Sequence, residues 1–289
     1  MFICSMKTIK ALLLLLIASL DVVFVSAQFA SIDTSKIGDN EKAGRYIKIR
    51  GFNMYYEIYG AGEPLLLIHG NGGSISNFMY QVPFFARNYK VIVADSRAQG
   101  KSIDMGDSLS YEMMADDFNS LLDTLHVQSS YVIGWNDGAV SGLLLAMRHP
   151  GKVIKLAVSG ARLSPDTSAL DVTAHDWALQ YNESFGKLKP TTENKNRHKV
   201  ARLLSFAPHI NIDQLKKIQC PVLVIGGDND IVHTKHTLLI SEAIPNSYLW
   251  IVPGAGNSIT IDYKNQFNEV VNNFFRTPYK KIEGLDRFN

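Results

Sequence analysis

Apolar residues fall along this chain in two periods, and the two alternate. Short continuous apolar runs, Leu65 to Ile68, Lys90 to Ala94, Tyr131 to Ile133 and Lys155 to Ser159, have the length and composition of strands buried on both faces. The segment Met113 to Leu125 instead carries apolar residues at 113, 114, 118, 121, 122 and 125, which is one face of a helix. Strands alternating with helices predict an α/β protein, a mostly parallel sheet wrapped by helices on both faces. Ahead of the first run, Tyr46 to Arg50 and Met54 to Tyr59 flank Gly51-Phe52-Asn53 as a predicted hairpin.

After Gly160 the alternation stops for about fifty residues, then resumes with Val222 to Gly226, Tyr248 to Val252 and a closing helix from Asp262 to about Phe275. Loops of that length without structure are uncommon in compact domains. The break therefore predicts an inserted helical cap over about residues 162–215, with a long surface loop as the alternative. Its aromatic residues Trp177, Tyr181 and Phe185 read equally well as the apolar wall of a pocket or as the core of the cap.

The N-terminus has its own pattern. Lys7 and Lys10 precede the apolar run Ala11 to Leu20, and Val25-Ser26-Ala27 offers small residues for cleavage. This predicts a secretory signal peptide over 1–27 and export of the mature chain, periplasmic or secreted. The rival reading is an uncleaved anchor. Asp21 interrupts a segment already short for a bilayer, at a cost of about 2.5 to 3.5 kcal/mol on insertion scales. The expected division is then a polar leader over 28–44 that looks flexible, a main domain over 45–276 and a tail over 277–289.

Composition narrows the partners. The 29 basic and 27 acidic residues leave a formal charge of +2, which gives no reason to expect nucleic acid or an anionic membrane surface. A small-molecule ligand is the expectation, with no stable membrane insertion after cleavage. Of two cysteines, Cys4 leaves with the signal, and Cys220 stays alone as a buried thiol at the entrance to a core strand. No histidine has metal-ligand spacing, so neither a metal nor a cofactor is expected.

Several short motifs follow one another in order. Leu65 to Ile68 leads into His69-Gly70-Asn71-Gly72-Gly73, and Lys90 to Ala94 leads into Asp95-Ser96-Arg97-Ala98-Gln99-Gly100-Lys101-Ser102. The strand-like Ser130 to Ile133 runs through Gly134-Trp135-Asn136-Asp137-Gly138 into a helix-like run from Ala139 to Met147. Later come Gly227-Asp228-Asn229-Asp230 and Pro253-Gly254-Ala255-Gly256-Asn257-Ser258, each after a strand-like run. This series resembles the α/β-hydrolase superfamily over about residues 46–275: its HG loop, its D-x-R-G-x-G-x-S turn with Ala98 in place of glycine, its nucleophile elbow, its acid loop and its histidine loop. The resemblance implies that fold, with an eight-stranded type of sheet and a small cap.

It also implies a site. Asn136 stands at the nucleophile position, Asp230 at the acid position and Asn257 at the histidine position. The backbone N–H groups of Asp137 and Asn71 correspond to the oxyanion donors, beside His69 and Gly70 of the HG loop, and both depend on backbone placement alone. Acyl transfer needs a hydroxyl, a base to take its proton and a carboxylate to orient the base, and only the carboxylate is here. An amide has no accessible protonation near neutral pH, so Asn257 cannot act as general base.

Other residues are weaker substitutes, and a histidine of the inserted cap reaching the pocket as the missing base stays open. His69 and Asp137 read as structural, His233 and His236 as lying on a solvated loop or helix face, and His126 and His149 as helix-end residues. His175, His198 and His209 lie in the insertion without a partner pattern. Deamidation of Asn136 would place an aspartate at the elbow, as in the superfamily's haloalkane dehalogenases and epoxide hydrolases, but Asn257 would still supply no base for the ester. Three functions stay open: an exported pseudo-hydrolase that binds a small organic or acyl ligand, an active hydrolase using non-standard residues, and a structural or interaction module.

Overall fold

The computed structural model describes residues 32–284. The expected signal peptide lies outside them, and among the described residues no helix is long and apolar enough to cross a membrane. The hairpin forms as β1 (Gly44–Ile49) and β2 (Phe52–Tyr59), and the buried runs become β3 (Glu63–Ile68), β4 (Tyr89–Ala94), β5 (Ser130–Trp135), β6 (Val153–Ser159), β7 (Val222–Gly227) and β8 (Ser247–Val252). They make an eight-stranded sheet in the order β1-β2-β4-β3-β5-β6-β7-β8. Only β2 runs against its neighbours.

The helices are α1 (Val82–Phe85), α2 (Tyr111–Thr124), α3 (Asp137–Arg148), α4 (Val172–Gly186), α5 (Thr192–Phe206), α6 (Thr234–Ala243), α7 (Ile259–Asp262) and α8 (Lys264–Arg276). The core forms where the predicted faces meet. Leu66, Ile68, Ile92 and Val132 of the sheet pack with Met114, Phe118, Leu121 and Leu122 of α2 and with Val140, Leu143 and Leu144 of α3. Val222 to Gly227 is buried throughout, as a strand covered on both faces must be.

β3 is followed by β4 on one side of it and by β5 on the other, so the chain changes direction across the sheet between β3 and β5. The loops leaving those two strands diverge and open a crevice at the carboxyl edge, the usual ligand position in open α/β sheets. Between β6 and β7, helices α4 and α5 cover that edge. They are tied to the sheet side by Asn196, whose Oδ1 accepts the Asp104 N–H at 3.0 Å, and by Lys199, whose Nζ meets Asp104 Oδ2 at 2.5 Å.

Residues just ahead of β1 are held rather than loose. The Glu57 carboxylate, buried on β2, accepts the N–H groups of Gly38 and Asn40, each at 2.9 Å, and the hydroxyls of Tyr55 and Tyr59 at 2.8 and 2.7 Å. A buried carboxylate needs such donors, and the polar leader supplies half of them. Composition alone suggested a flexible segment because the carboxylate that anchors it lies some twenty residues further on. Cys220 is half-buried just ahead of β7, and burial pushes its thiol up to about 12, which leaves it protonated and inert.

Candidate functional site

The turn from β5 into α3 is built by its glycines. A Cβ on Gly138 would overlap the Ile68 carbonyl, and one on Gly134 would overlap the Gly138 carbonyl, so only bare backbone lets strand and helix meet this closely. Asn136 then takes φ 54° and ψ −120°, a strained conformation costing about 1 to 3 kcal/mol. It is held there by its own N–H, which donates to Ser159 O at 2.8 Å, and by its carbonyl, which accepts from Ala139 N at 2.9 Å. Asn136 caps α3 and projects over the crevice, with Gly70 close against its Cβ.

The structure brings Asn136, Asn257 and Asp230 together. Asn257 lies on the loop after β8, fixed by the Trp135 indole N–H, which donates to its carbonyl at 2.9 Å. Its Nδ2 donates to Asp230 Oδ1 at 2.9 Å, and its Oδ1 accepts from Asn136 Nδ2 at 3.3 Å. Asn136 Oδ1 in turn accepts the Asp137 N–H at 2.8 Å. A backbone donor at one end and a carboxylate acceptor at the other permit only one orientation of each amide, so the chain of bonds runs in a single direction.

This relay has a consequence for the oxyanion donors. The Asp137 N–H does not wait for a ligand, because Asn136 brings its own acceptor to it. Replacing the nucleophile therefore need not move the backbone, but with asparagine at position 136 the Asp137 donor is occupied. The Asn71 N–H donates to no acceptor among the described residues. Asn71 reaches instead through its side chain, whose Nδ2 donates to Asp137 Oδ2 at 2.7 Å and to Val200 O of the cap at 3.1 Å.

Asp137 and His69 lie behind the site. The Asp137 carboxylate is buried and faces Arg162 Nη2 at 3.4 Å, while the same guanidinium donates to Tyr111 Oη and Leu204 O, each at 3.0 Å. His69 Nε2 accepts the Ser96 N–H at 2.9 Å and Nδ1 lies 2.7 Å from Gly70 O, which places the proton on Nδ1. Burial lowers its pKa, so the ring is neutral and joins the HG loop to the turn after β4. In that turn Ala98 keeps the glycine-type conformation, φ 64°, at a cost of about 1 to 2 kcal/mol.

The remaining histidines stay away from the amides, one of them for an unforeseen reason. His236 is not on a solvated face: it is buried, and its Nε2 accepts the Leu163 N–H at 3.1 Å. In α6 the inward face is His236, Thr237, Ile240 and Ser241, while Leu238 and Leu239 point outward, the reverse of what side-chain polarity suggests. The cavity of about 340 Å³ beside Asn136 and Asn257 is lined by Trp135, Trp177, Tyr181, Leu204 and Ile231 and has no histidine in its wall. Among the described residues no cluster of histidine, cysteine or carboxylate side chains is arranged to hold a metal.

Asp230 carries a cost that the relay does not repay. Its Oδ1 also accepts from Val232 N at 3.2 Å, but its Oδ2 is buried without a partner. Burial holds the carboxyl above the ordinary aspartate value, partly offset by the Asn257 hydrogen bond. A carboxyl raised on folding stabilises the fold fully below its unfolded pKa, and that contribution is lost as pH rises through the folded one. Asp230→Asn keeps an acceptor for Asn257 and removes the charge. Thermal melts should therefore show Asp230→Asn more stable than the unmodified chain at neutral pH, with the gap closing in acid; a less stable variant at neutral pH would show that the carboxylate is a net stabiliser.

An eight-stranded, mostly parallel sheet with a glycine-built elbow after β5, an HG loop after β3, an acid loop after β7 and a two-helix cap defines the α/β-hydrolase architecture. The family described as the alpha/beta hydrolase fold matches residues 63–197. The chain has the α/β-hydrolase fold, and proteins named as hydrolases match most of its length. A RutD protein of Caulobacter sp. (strain K31), named for carbamate hydrolysis, is 26% identical over 258 residues, covering 76% of this chain and 95% of that protein. Among solved structures, MGS-M2, an alpha/beta hydrolase from a Medee basin deep-sea metagenome library, is 17% identical with a TM-score of 0.74, over 83% of this chain and 100% of that one. A thermophilic esterase from Thermogutta terrifontis is 20% identical with a TM-score of 0.69, over 80% and 98%.

Proposed function

We propose that this chain is a ligand-binding pseudo-hydrolase: it holds a small organic or acyl molecule between sheet and cap without turning it over efficiently. The observation that carries this reading is the amide relay. Asp137 N–H, Asn136, Asn257 and Asp230 bond to one another in sequence, neither amide can take a proton from a nucleophile and return it, and Asn257 stands between residue 136 and the Asp230 carboxylate. The apolar cavity next to the relay remains and supplies the concave, mostly apolar surface that ligand sites use. Export is part of the proposal and rests on the N-terminal sequence pattern alone.

Thermal unfolding with a panel of neutral ketones, esters and amides tests binding. A ligand at 100 times its Kd should add about 2.7 kcal/mol, raising Tm by about 5 to 10 °C for a domain of this size. If no class of ligand moves Tm, the binding reading falls. The rival reading, an active hydrolase using non-standard residues, is favoured by the hydrolase names of its relatives and predicts ester turnover by the unmodified chain.

A further inference from the structure

Helix α4 carries Trp177, Tyr181 and Phe185 four residues apart, one above another on the same face. The Trp177 and Tyr181 rings stack with centroids 4.9 Å apart and planes at 15°, and Phe185 meets Tyr181 edge-on at 4.8 Å and 81°. Such a stripe ordinarily forms core. Here Ala178 is the only buried residue of α4, and Trp177 is 55% exposed. The stripe faces two cavities instead: Trp177 and Tyr181 line the one beside Asn136 and Asn257, and Tyr181 and Phe185 line a neighbouring one of about 520 Å³. Tyr181, Gly72, Gly73 and Asn77 belong to both walls, so the two spaces adjoin at Tyr181.

The walls hold no free charge. The cavity at the relay has no Lys, Arg, His, Asp or Glu in its lining, and the larger one has only Glu193 and Arg197, paired with each other at 2.7 Å. An anionic ligand would find no free cation there and would meet Asp230 behind Asn257. A cationic ligand would find no free carboxylate in either wall. We propose that the site takes an uncharged, elongated ligand bearing a flat ring system, which lies along the Trp177–Tyr181–Phe185 stripe and turns a carbonyl or amide toward Asn136 and Asn257. The amides suit such a group because each offers both donors and an acceptor, and aromatic walls favour ring faces and edges over alkyl chains. This inference rests on the binding reading above and specifies its ligand.

The test uses 6-propionyl-2-(dimethylamino)naphthalene, a neutral, flat ketone whose emission shifts to the blue on leaving water. It is titrated into the full chain beside 2-naphthoate, which is flat but anionic, and 2-butanone, which is neutral but small, with binding of the last read by Tm. The naphthyl ketone should bind at least tenfold more tightly than the naphthoate. Tyr181→Ala and Phe185→Ala should each weaken it roughly tenfold, and Phe185→Leu should weaken it while preserving apolar bulk. Naphthyl ketone affinity unchanged in all three variants, a preference for the naphthoate, or stabilisation by 2-butanone alone would overturn the elongated, uncharged ligand and leave the binding reading standing. No response to any of the three compounds would overturn both.

Discussion

Asn136→Ser combined with Asn257→His should raise aryl-ester hydrolysis by about 10²-fold or more over the unmodified chain, while either change alone stays at background. The magnitude follows from how triads behave: in subtilisin, loss of nucleophile or base alone removes about 2 × 10⁶ of kcat, so the pair works as a unit. The geometry favours recovery. Asn257 Nδ2 already stands where an imidazole N–H would donate to Asp230, at 2.9 Å, and a ring at that position extends its far nitrogen toward residue 136. The serine substitution does two things at once, since it installs a hydroxyl at the elbow and withdraws the amide oxygen that holds the Asp137 N–H. That donor is then free for an oxyanion. A folded double variant with no gain would show that positions 136, 257 and 230 are not in catalytic register.

Arg162→Met should cost about 3 to 5 kcal/mol, or a fall in Tm of about 6 to 20 °C, because it strands a buried charge. Arg162 is 3% exposed and Asp137 is 1% exposed, and the guanidinium bridges the elbow, Tyr111 and the Leu204 carbonyl of the cap. With the guanidinium gone, Asp137 keeps the Asn71 amide and the Tyr111 hydroxyl, two neutral donors, as side-chain partners. Adding Asp137→Asn to Arg162→Met should return part of the loss, since the stranded charge disappears. Urea unfolding measures both. A loss below about 1 kcal/mol for Arg162→Met would mean that water reaches the carboxylate.

The parts of this fold that were legible in the sequence are those where burial dictates composition. Leu65 to Ile68 and Val222 to Gly226 are covered on both faces, so continuous apolar runs marked them, with ends displaced by a residue or two. The elbow was legible because only glycine at 134 and 138 allows the approach. Helix α6 misled because its inward face is filled by His236, Thr237 and Ser241 beside Ile240, so polarity did not mark burial. The aromatic stripe of α4 was ambiguous for a different reason: helical spacing places three rings on one face but does not say whether the face meets protein or a cavity. The occupied Asp137 N–H had a signal in the residue type, since asparagine carries an acceptor short enough to cap the next backbone group, whereas its position in the motif pointed only to what was missing.

In the proposed reading Asn136 is part of an amide relay and not a nucleophile of another kind. The most direct test of that reading is the kcat/KM of the unmodified chain for a short aryl acetate, measured beside Asn136→Ala under identical conditions. Both should stay at a low residual, with Asn136→Ala no slower than the unmodified chain, because removing the amide side chain frees the Asp137 N–H and takes away no nucleophile. Turnover by the unmodified chain well above that residual, and lost in Asn136→Ala, would contradict the reading.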